Sequence, residues 1–420
     1  MQVLKFGGAS VSTIDRIKIV GEILRGYRDQ QTLVVISAMG KVTNSLEKVA
    51  EAFVEKRQLD AIHLFGVIKE SHLTTAKYLL VRNYLATEKQ LGGFFTEIEW
   101  LLHDKPSKSF DYYYDQIVSI GELLSTAILS AYLQESGISN QWVDVRDIFR
   151  TDDNFRDANI DWPITAEQVS AKIGPLFNTN HIVLTQGFIG ATAENESTTL
   201  GREGSDYSAA IFANLLDAES LTIWKDVPGV MNADPKQFSD AQVISELNYD
   251  EVIEMAYYGA QVIHPKTIKP VQNKSIPLYV KCFLESAWPG TAIHNQSPKS
   301  LPAIIVFKEK QSLVHLHSKD FSFVGEKPIA ALYHWLAEVK LKPNLIQSGA
   351  VSLQVCVDDN KEKIEKLAFL AAEMFDIHLE TGLTLLTIRH YDDSTLMKLS
   401  AGRKVILKQQ TIQTVQVLMR

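Results

Sequence analysis

The sequence predicts an α/β protein: a mostly parallel sheet with helices on both faces, followed by a smaller region of ferredoxin-like pattern. Three observations predict it. The first 40 residues alternate as strand, loop, helix and strand. Continuous apolar runs recur at 33–36, 182–185 and 221–224, the mark of strands buried on both faces. Beyond residue 300 the alternation continues at the shorter spacing of a small βαβ-type domain.

In chain order, Val3 to Phe6 is a short apolar run that ends in Gly7-Gly8. Ser12 is a candidate cap for a helix in which Ile14, Ile17, Val20 and Leu24 recur at helical spacing, with Gly26 as its stop. Leu33 to Ile36 is the next strand, and residues from about 45 to 135 read as mostly helical. Further strands are expected at 182–185, 221–224 and 277–283. The stretch 285–300 holds Pro289, Gly290, Pro298 and three serines, with little periodicity. It divides a first domain, 1–295, from a second, 296–420. In the second, 313–316 is a strand, 328–339 a helix, 351–357 an alternating strand, 361–375 a helix and 383–388 a strand. Segments 383–390 and 404–419 supply strands that one small domain does not need, and they read as a second, shortened copy.

Composition sets broad limits. The 420 residues are 45% hydrophobic and 22% charged, which is ordinary for a globular chain. A net charge of −8 argues against a broad nucleic-acid surface. Two distant cysteines, Cys282 and Cys356, make neither a disulfide framework nor a four-thiolate zinc site, and they read as reduced, buried thiols. The N-terminus lacks the basic and apolar regions of a secretory signal, and no window reaches 18 uninterrupted apolar residues. A cytoplasmic protein that does not span a membrane is expected.

Four polar loops stand out, each expected to follow a strand, and parallel strands bring such loops to one edge where ligands bind. The first is Lys5-Phe6-Gly7-Gly8-Ala9-Ser10, an anion cradle with an ammonium at the strand end. A tight turn with a solvated lysine explains the same residues equally well. No Walker A loop occurs, since the Gly40-Lys41 pair lacks both the upstream glycine and the hydroxyl residue. The second loop, 37–44, offers Ser37, Gly40, Thr43 and Asn44 to a small polar ligand or phosphate, or simply to a cap and turn. The third holds Gly121-Glu122, a carboxylate against an apolar stretch that calls for a cation, either a substrate ammonium or an arginine. The fourth, 198–206, brings Arg202, suited to grip a carboxylate bidentately, and Asp206 in the first turn of a helix. An ammonium binder, a carboxylate binder and a phosphate cradle together suit an amino acid and a nucleotide, without saying which amino acid.

These residues also resemble a known family. The N-terminal K-F-G-G-A-S is similar to the aspartate kinase signature K-F-G-G-[ST]-S, with Ala9 in place of the hydroxyl residue. S-A-M-G-K-V-T-N, S-I-G-E, G-F-I-G, T-T-L-G-R-E-G-S-D-Y-S-A-A, W-K-D-V-P-G-V-M-N-A-D-P-K and Y-Y-G-A-Q-V-I-H-P follow in the family's order and spacing. The resemblance covers about 1–295 and continues more weakly to the end. It implies an open αβα sandwich of the amino-acid-kinase fold, followed by ferredoxin-like ACT domains, the second one shortened. It implies transfer of the γ-phosphoryl group of ATP, with Mg2+, to the β-carboxylate of L-aspartate. That is the first step toward lysine, threonine and methionine.

The resemblance also implies roles. Lys5, Gly8 and Asp206 are catalytic, and Thr43, Glu122, Arg202 and Ser205 bind aspartate. The nucleotide falls to Lys5, Gly7, Gly8, Ser37, Lys225, Asp226, Met231, Lys236, Gln261 and Val262. An amino-acid effector, lysine or threonine, and a homodimer formed through the ACT region are implied as well. The chain departs from the pattern at Lys225, where relatives carry Thr or Ser, at Met231 for Tyr and at Gln261 for Lys. The effector loop D-L-I-x-x-S-E of lysine-sensitive relatives reads Asn344-Leu-Ile-Gln-Ser-Gly349-Ala350 here, and 391–420 is too short for a full second ACT domain. Another amino-acid kinase, or a non-catalytic amino-acid sensor that kept the fold, are the competing readings. Ala9 and Gln261 favour the sensor, and Lys5, Glu122, Arg202 and Asp206 oppose it.

Overall fold

The computed structural model describes residues 1–260 and 263–420, which form two compact units. The first holds Met1–Val230, Val243–Ile253 and the described residues of 261–298; the second holds Met231–Gln242, Glu254–Ala260 and Lys299–Arg420.

The strands of the first unit are β1 (Gln2–Phe6), β2 (Thr32–Ile36), β3 (Asn140–Val143), β4 (Ile182–Gln186), a short ribbon of β5 (Ile189–Ala191) and β6 (Ser197–Thr199), then β7 (Ser220–Lys225), β8 (Glu246–Asn248), β9 (Leu278–Cys282) and β10 (Thr291–His294). Among the described residues, eight of them form one sheet in the order β3-β4-β2-β1-β7-β9-β10-β8. All neighbours are parallel except β9 and β10. Every residue of β2 and β4 is buried, which is why their sequences show continuous apolar runs rather than alternation.

The helices are α1 (Ile14–Arg25), α2 (Val42–Val54), α3 (Gln58–Leu79), α4 (Tyr84–His103), α5 (Phe110–Val118), α6 (Ile120–Glu135), α7 (Trp162–Gln168) and α8 (Gly204–Leu215), with α9 (Tyr249–Tyr258) and α10 (Pro265–Asn273) further on. The cap of α1 is Thr13, not Ser12. The Thr13 hydroxyl accepts the Arg16 N–H at 3.3 Å, because Gly8–Val11 forms its own 3-10 turn and moves the helix start by one residue. The stretch Phe110–Glu135 is long and apolar enough to cross a membrane, but 89% of its most apolar window is buried inside the protein. Its apolar character is that of a core helix pair. Within the expected linker, Thr291 and Ile293 point inward and form β10, a strand too short and too flanked by Pro and Gly to be legible beforehand.

The second unit contains β11 (Ile304–Ser318), α11 (Glu326–Glu338), β12 (Pro343–Ser348), β13 (Ser352–Asp358), α12 (Lys361–Ala371), β14 (Phe375–Arg389), α13 (Asp393–Ser400), β15 (Val405–Gln410) and β16 (Thr414–Met419). Its antiparallel sheet runs β12-β13-β11-β14-β16-β15. β11 and β14 are 15 residues each, far longer than the pieces expected from their sequences. Their register shifts around Lys308, Gln311 and Leu313. The apolar cluster of Val314, Leu332, Val355 and Leu367 lies on one side of that irregularity, and Leu386, Ile388, Val415 and Val417 on the other. The shortened second copy therefore shares its strands with the first, in one continuous sheet. The two inserted segments are fastened to this unit: Ile305 N–H donates to the Asn232 carbonyl at 2.7 Å, and Arg389 pairs with Glu254 at 2.9 Å.

Candidate active site

A cavity of about 590 Å³ opens in the first unit where β1, β2 and β7 end and α8 begins. Lys5, the penultimate residue of β1, is 8% exposed, and its Nζ lies 2.5 Å from Asp206 Oδ1. Lys225, the last residue of β7, brings its Nζ to 3.7 Å from Asp206 Oδ2. Burial pushes the Asp206 carboxyl up, but the two ammonium groups outweigh it and hold the group below the usual carboxylate range. One buried carboxylate thus aims two cations into the cavity.

Gly8 is where the loops after β1 and β2 meet backbone to backbone. Gly40 N–H donates to the Gly8 carbonyl at 2.9 Å, and a Cβ on Gly8 would stand 2.6 Å from the Ala38 carbonyl oxygen. No side chain fits there. The β2 loop then offers Ser37 and, from the first turn of α2, Thr43.

Glu122 does not follow a strand, as the sequence suggested, but sits in the first turn of α6. It is 2% exposed. Its Oε1 accepts the Ala38 N–H at 3.2 Å, while Oε2 is buried with no hydrogen-bond partner. Burial pushes this carboxyl up to about 8, against the Ala38 N–H and the charge of Lys5. The fourth loop follows the ribbon strand β6 rather than a strand of the main sheet. Its turn uses Gly201 at φ +73° and Glu203 at φ +53°, and the Glu203 carboxylate accepts the His264 N–H at 2.8 Å. Arg202 lines the cavity and makes no ion pair or side-chain hydrogen bond among the described residues.

Eleven predicted residues line this one cavity: Lys5, Gly7, Gly8, Ser37, Thr43, Glu122, Arg202, Ser205, Asp206, Lys225 and Asp226. Met231 and Lys236 do not line it; they fall in the segment that groups with the second unit. Gln261 and Val262 lie outside the described residues. Lys266 is engaged elsewhere, 2.7 Å from Asp157 and 3.2 Å from the Leu200 carbonyl. Tyr114, Arg156, Phe188 and Trp224 also line the wall and were not foreseen. Phe6 and Trp224 stack across adjacent strands at 5.8 Å, so Trp224 reads as core from sequence, and Arg156 lies in a polar run with no periodicity.

A parallel sheet whose strand ends bring two ammonium groups, a backbone cradle and an unpaired guanidinium to one crevice is a machine for anions, of the phosphotransferase class. The Amino acid kinase family matches over residues 1–282, and the chain belongs to that family. Lysine-sensitive aspartokinase 3 of Escherichia coli is 32% identical over 400 residues, covering 95% of this chain and 83% of that protein. Aspartokinase 2, chloroplastic, of Arabidopsis thaliana is 31% identical, covering 86% of this chain and 66% of its own length. The solved structure of E. coli aspartokinase III with aspartate and ADP in its R-state superposes with a TM-score of 0.82 at 28% identity, covering 100% of this chain and 96% of that one. Within the family the chain is an ATP-dependent aspartate kinase.

Proposed function

We propose that the 590 Å³ crevice performs this transfer with the residues named from sequence. The observation that carries the reading is the Asp206 carboxylate holding Lys5 and Lys225 beside the Gly7-Gly8 backbone. Phosphoryl transfer asks for positioning and for cationic charge on the equatorial oxygens, not for covalent chemistry by the protein. Lys5 and Lys225 supply that charge, and Gly8 admits the phosphates to the backbone. Lys225 thereby stands in for the cation absent at Gln261. The β-carboxylate of aspartate is ionised near neutral pH, so no general base is needed.

The α-ammonium of aspartate is assigned to the unpartnered oxygen of Glu122 and the α-carboxylate to Arg202, with hydroxyls from Thr43 and Ser205 alongside. Of the nucleotide residues that the resemblance implies, Ser37, Lys225 and Asp226 line this crevice beside Lys5, Gly7 and Gly8, and the nucleotide is assigned to these. No cluster of three potential metal ligands occurs among the described residues, and the nearby Asp206 is committed to lysines. Asp226, which also lines the crevice, would face a Mg2+ brought in with the nucleotide. When bound, it neutralises phosphate charge. The E. coli relative's structure with lysine and aspartate supports an amino-acid effector, which we assign to the second unit, and a homodimer through that unit and a cytoplasmic location complete the reading. An ADP-release assay with aspartate, with glutamate and with no acceptor tests it. ADP release specific to aspartate is expected. Equal release without acceptor, or with glutamate, would overturn the assignment.

A further inference from the structure

Arg156 is the one charged residue of the crevice wall to which no role has yet been given. Its backbone has φ +72°. Side chains other than glycine enter this left-handed region at a cost, and such outliers gather where a side chain must be aimed. Asp115 holds it there. This fully buried carboxylate accepts the Arg156 N–H at 3.0 Å, and also the Thr199 N–H at 2.8 Å and the Thr199 hydroxyl at 2.7 Å. Thr199 stands three residues before Arg202. One internal anion therefore fixes both the turn that carries Arg156 and the strand that delivers Arg202.

The guanidinium carbon lies 4.4 Å above the centre of the Tyr114 ring. Its nitrogens reach Glu47, partly exposed, at 3.3 Å and Asp111, open to solvent, at 3.4 Å. Ion pairs of that kind are weak and exchange readily. Glu47 is one turn beyond Thr43 on α2, so Arg156 spans from α2 to α5 on the side of the cavity that holds Thr43 and Glu122.

We propose that Arg156 is a second carboxylate-binding guanidinium of the aspartate site. On binding, it gives up its contacts with Glu47 and Asp111 for the substrate's α-carboxylate, on the opposite side from Arg202, while the face of Tyr114 keeps its plane oriented. The inference rests on reading the crevice as the aspartate site. The chemistry calls for such a group: with the β-carboxylate beside Lys5, the α-carboxylate needs cations of its own, and Asp115 anchors the backbone of the two segments that carry Arg156 and Arg202.

The test compares Arg156→Gly, Arg156→Lys and Arg202→Ala with the unaltered enzyme. It reads the KM values for aspartate and ATP, kcat, and the thermal unfolding midpoint. Glycine suits the left-handed backbone, so Arg156→Gly removes the side chain without straining the fold. That variant is expected to raise the aspartate KM roughly 10- to 100-fold, as loss of a charge-assisted contact does, while the ATP KM stays within about twofold and the midpoint does not fall. Arg156→Lys should recover part of the loss. If Arg202→Ala raises the aspartate KM and Arg156→Gly leaves it within about twofold, the proposal fails and the site reading stands. If neither moves it, the site reading fails with it. A rise in both KM values together with a lower midpoint would make Arg156 a structural residue and overturn the proposal.

Discussion

Lys5 and Asp206, 2.5 Å apart in a buried setting, are a contact whose value lies in chemistry more than in stability. Replacing Lys5 with alanine removes a preorganised charge from the transferring phosphoryl group, which typically costs about 3–4 kcal/mol, or roughly 10²–10³-fold in rate. A Lys5→Ala enzyme that kept more than a tenth of kcat would remove the residue from the catalytic set. Lys225→Thr should impair ATP use less severely, and adding Gln261→Lys should restore part of the loss, a coupling that a double-mutant cycle measures.

Glu122 makes a different prediction. Its carboxyl, lifted to about 8 by burial, is protonated in the empty site near neutral pH and must ionise to receive an ammonium. Aspartate binding should therefore release a proton below pH 8. The aspartate KM should fall as pH rises toward 8, by at most about tenfold per unit. Calorimetry in buffers of different ionisation enthalpy would read the released proton directly. The stability effect has the opposite sense: the folded-state value lies above the ordinary 4.5, so folding favours the protonated form. The unliganded protein should lose stability between about pH 4.5 and 8, and Glu122→Gln should lack that part of the slope. Lys5, Glu122, Arg202 and Asp206 were legible because their loops together offer an ammonium binder, a carboxylate binder and a phosphate cradle, in the order and spacing of a known family. Arg156 and Tyr114 were not, since only the turn held by Asp115 brings them to the cavity.

At the scale of elements, the parallel sheet was legible wherever burial on both faces forced an unbroken apolar run, as in β2, β4 and β7. The antiparallel strands were harder. β12 carries the mixed sequence Pro-Asn-Leu-Ile-Gln-Ser and only Leu345 is fully buried, so it shows no period. β11 and β14 looked like short strands because each changes its pattern midway, where the register slips. The loop crossing at Gly8 yields an element-scale prediction. A Gly8→Ala side chain would stand 2.6 Å from the Ala38 carbonyl, and neither loop can yield without shifting the strand end behind it. The expected result is a loss of kcat/KM for ATP of roughly tenfold or more, with a smaller change in the aspartate KM. An unchanged kcat/KM in that variant would mean that the two loops move freely.

For the molecule as a whole, the loop 344–350 of the second unit bears on the response to lysine. Asn344, at the head of that loop, has both amide donors in use: its oxygen accepts from Lys308 at 2.7 Å, and its nitrogen donates to Gln311 at 2.7 Å and Asp358 at 2.8 Å. With both N–H donors taken and the oxygen already bonded to an ammonium, a free amino acid would have to compete with those bonds for this amide. Lysine should accordingly bind weakly or not at all. Calorimetric titration of lysine into the protein should show no micromolar event, and micromolar binding with inhibition would refute this.

The second unit is assembled from three pieces of chain, two of which, 231–242 and 254–260, precede its main body in sequence. A single protease cut near residue 298 would sever the backbone and still leave part of that unit attached to the kinase fragment. By the same reasoning, the unit is not a cassette for gene fusion. A graft of 299–420 onto another kinase would arrive without the Asn232 and Glu254 partners of Ile305 and Arg389, and would need compatible versions of both already present in its host.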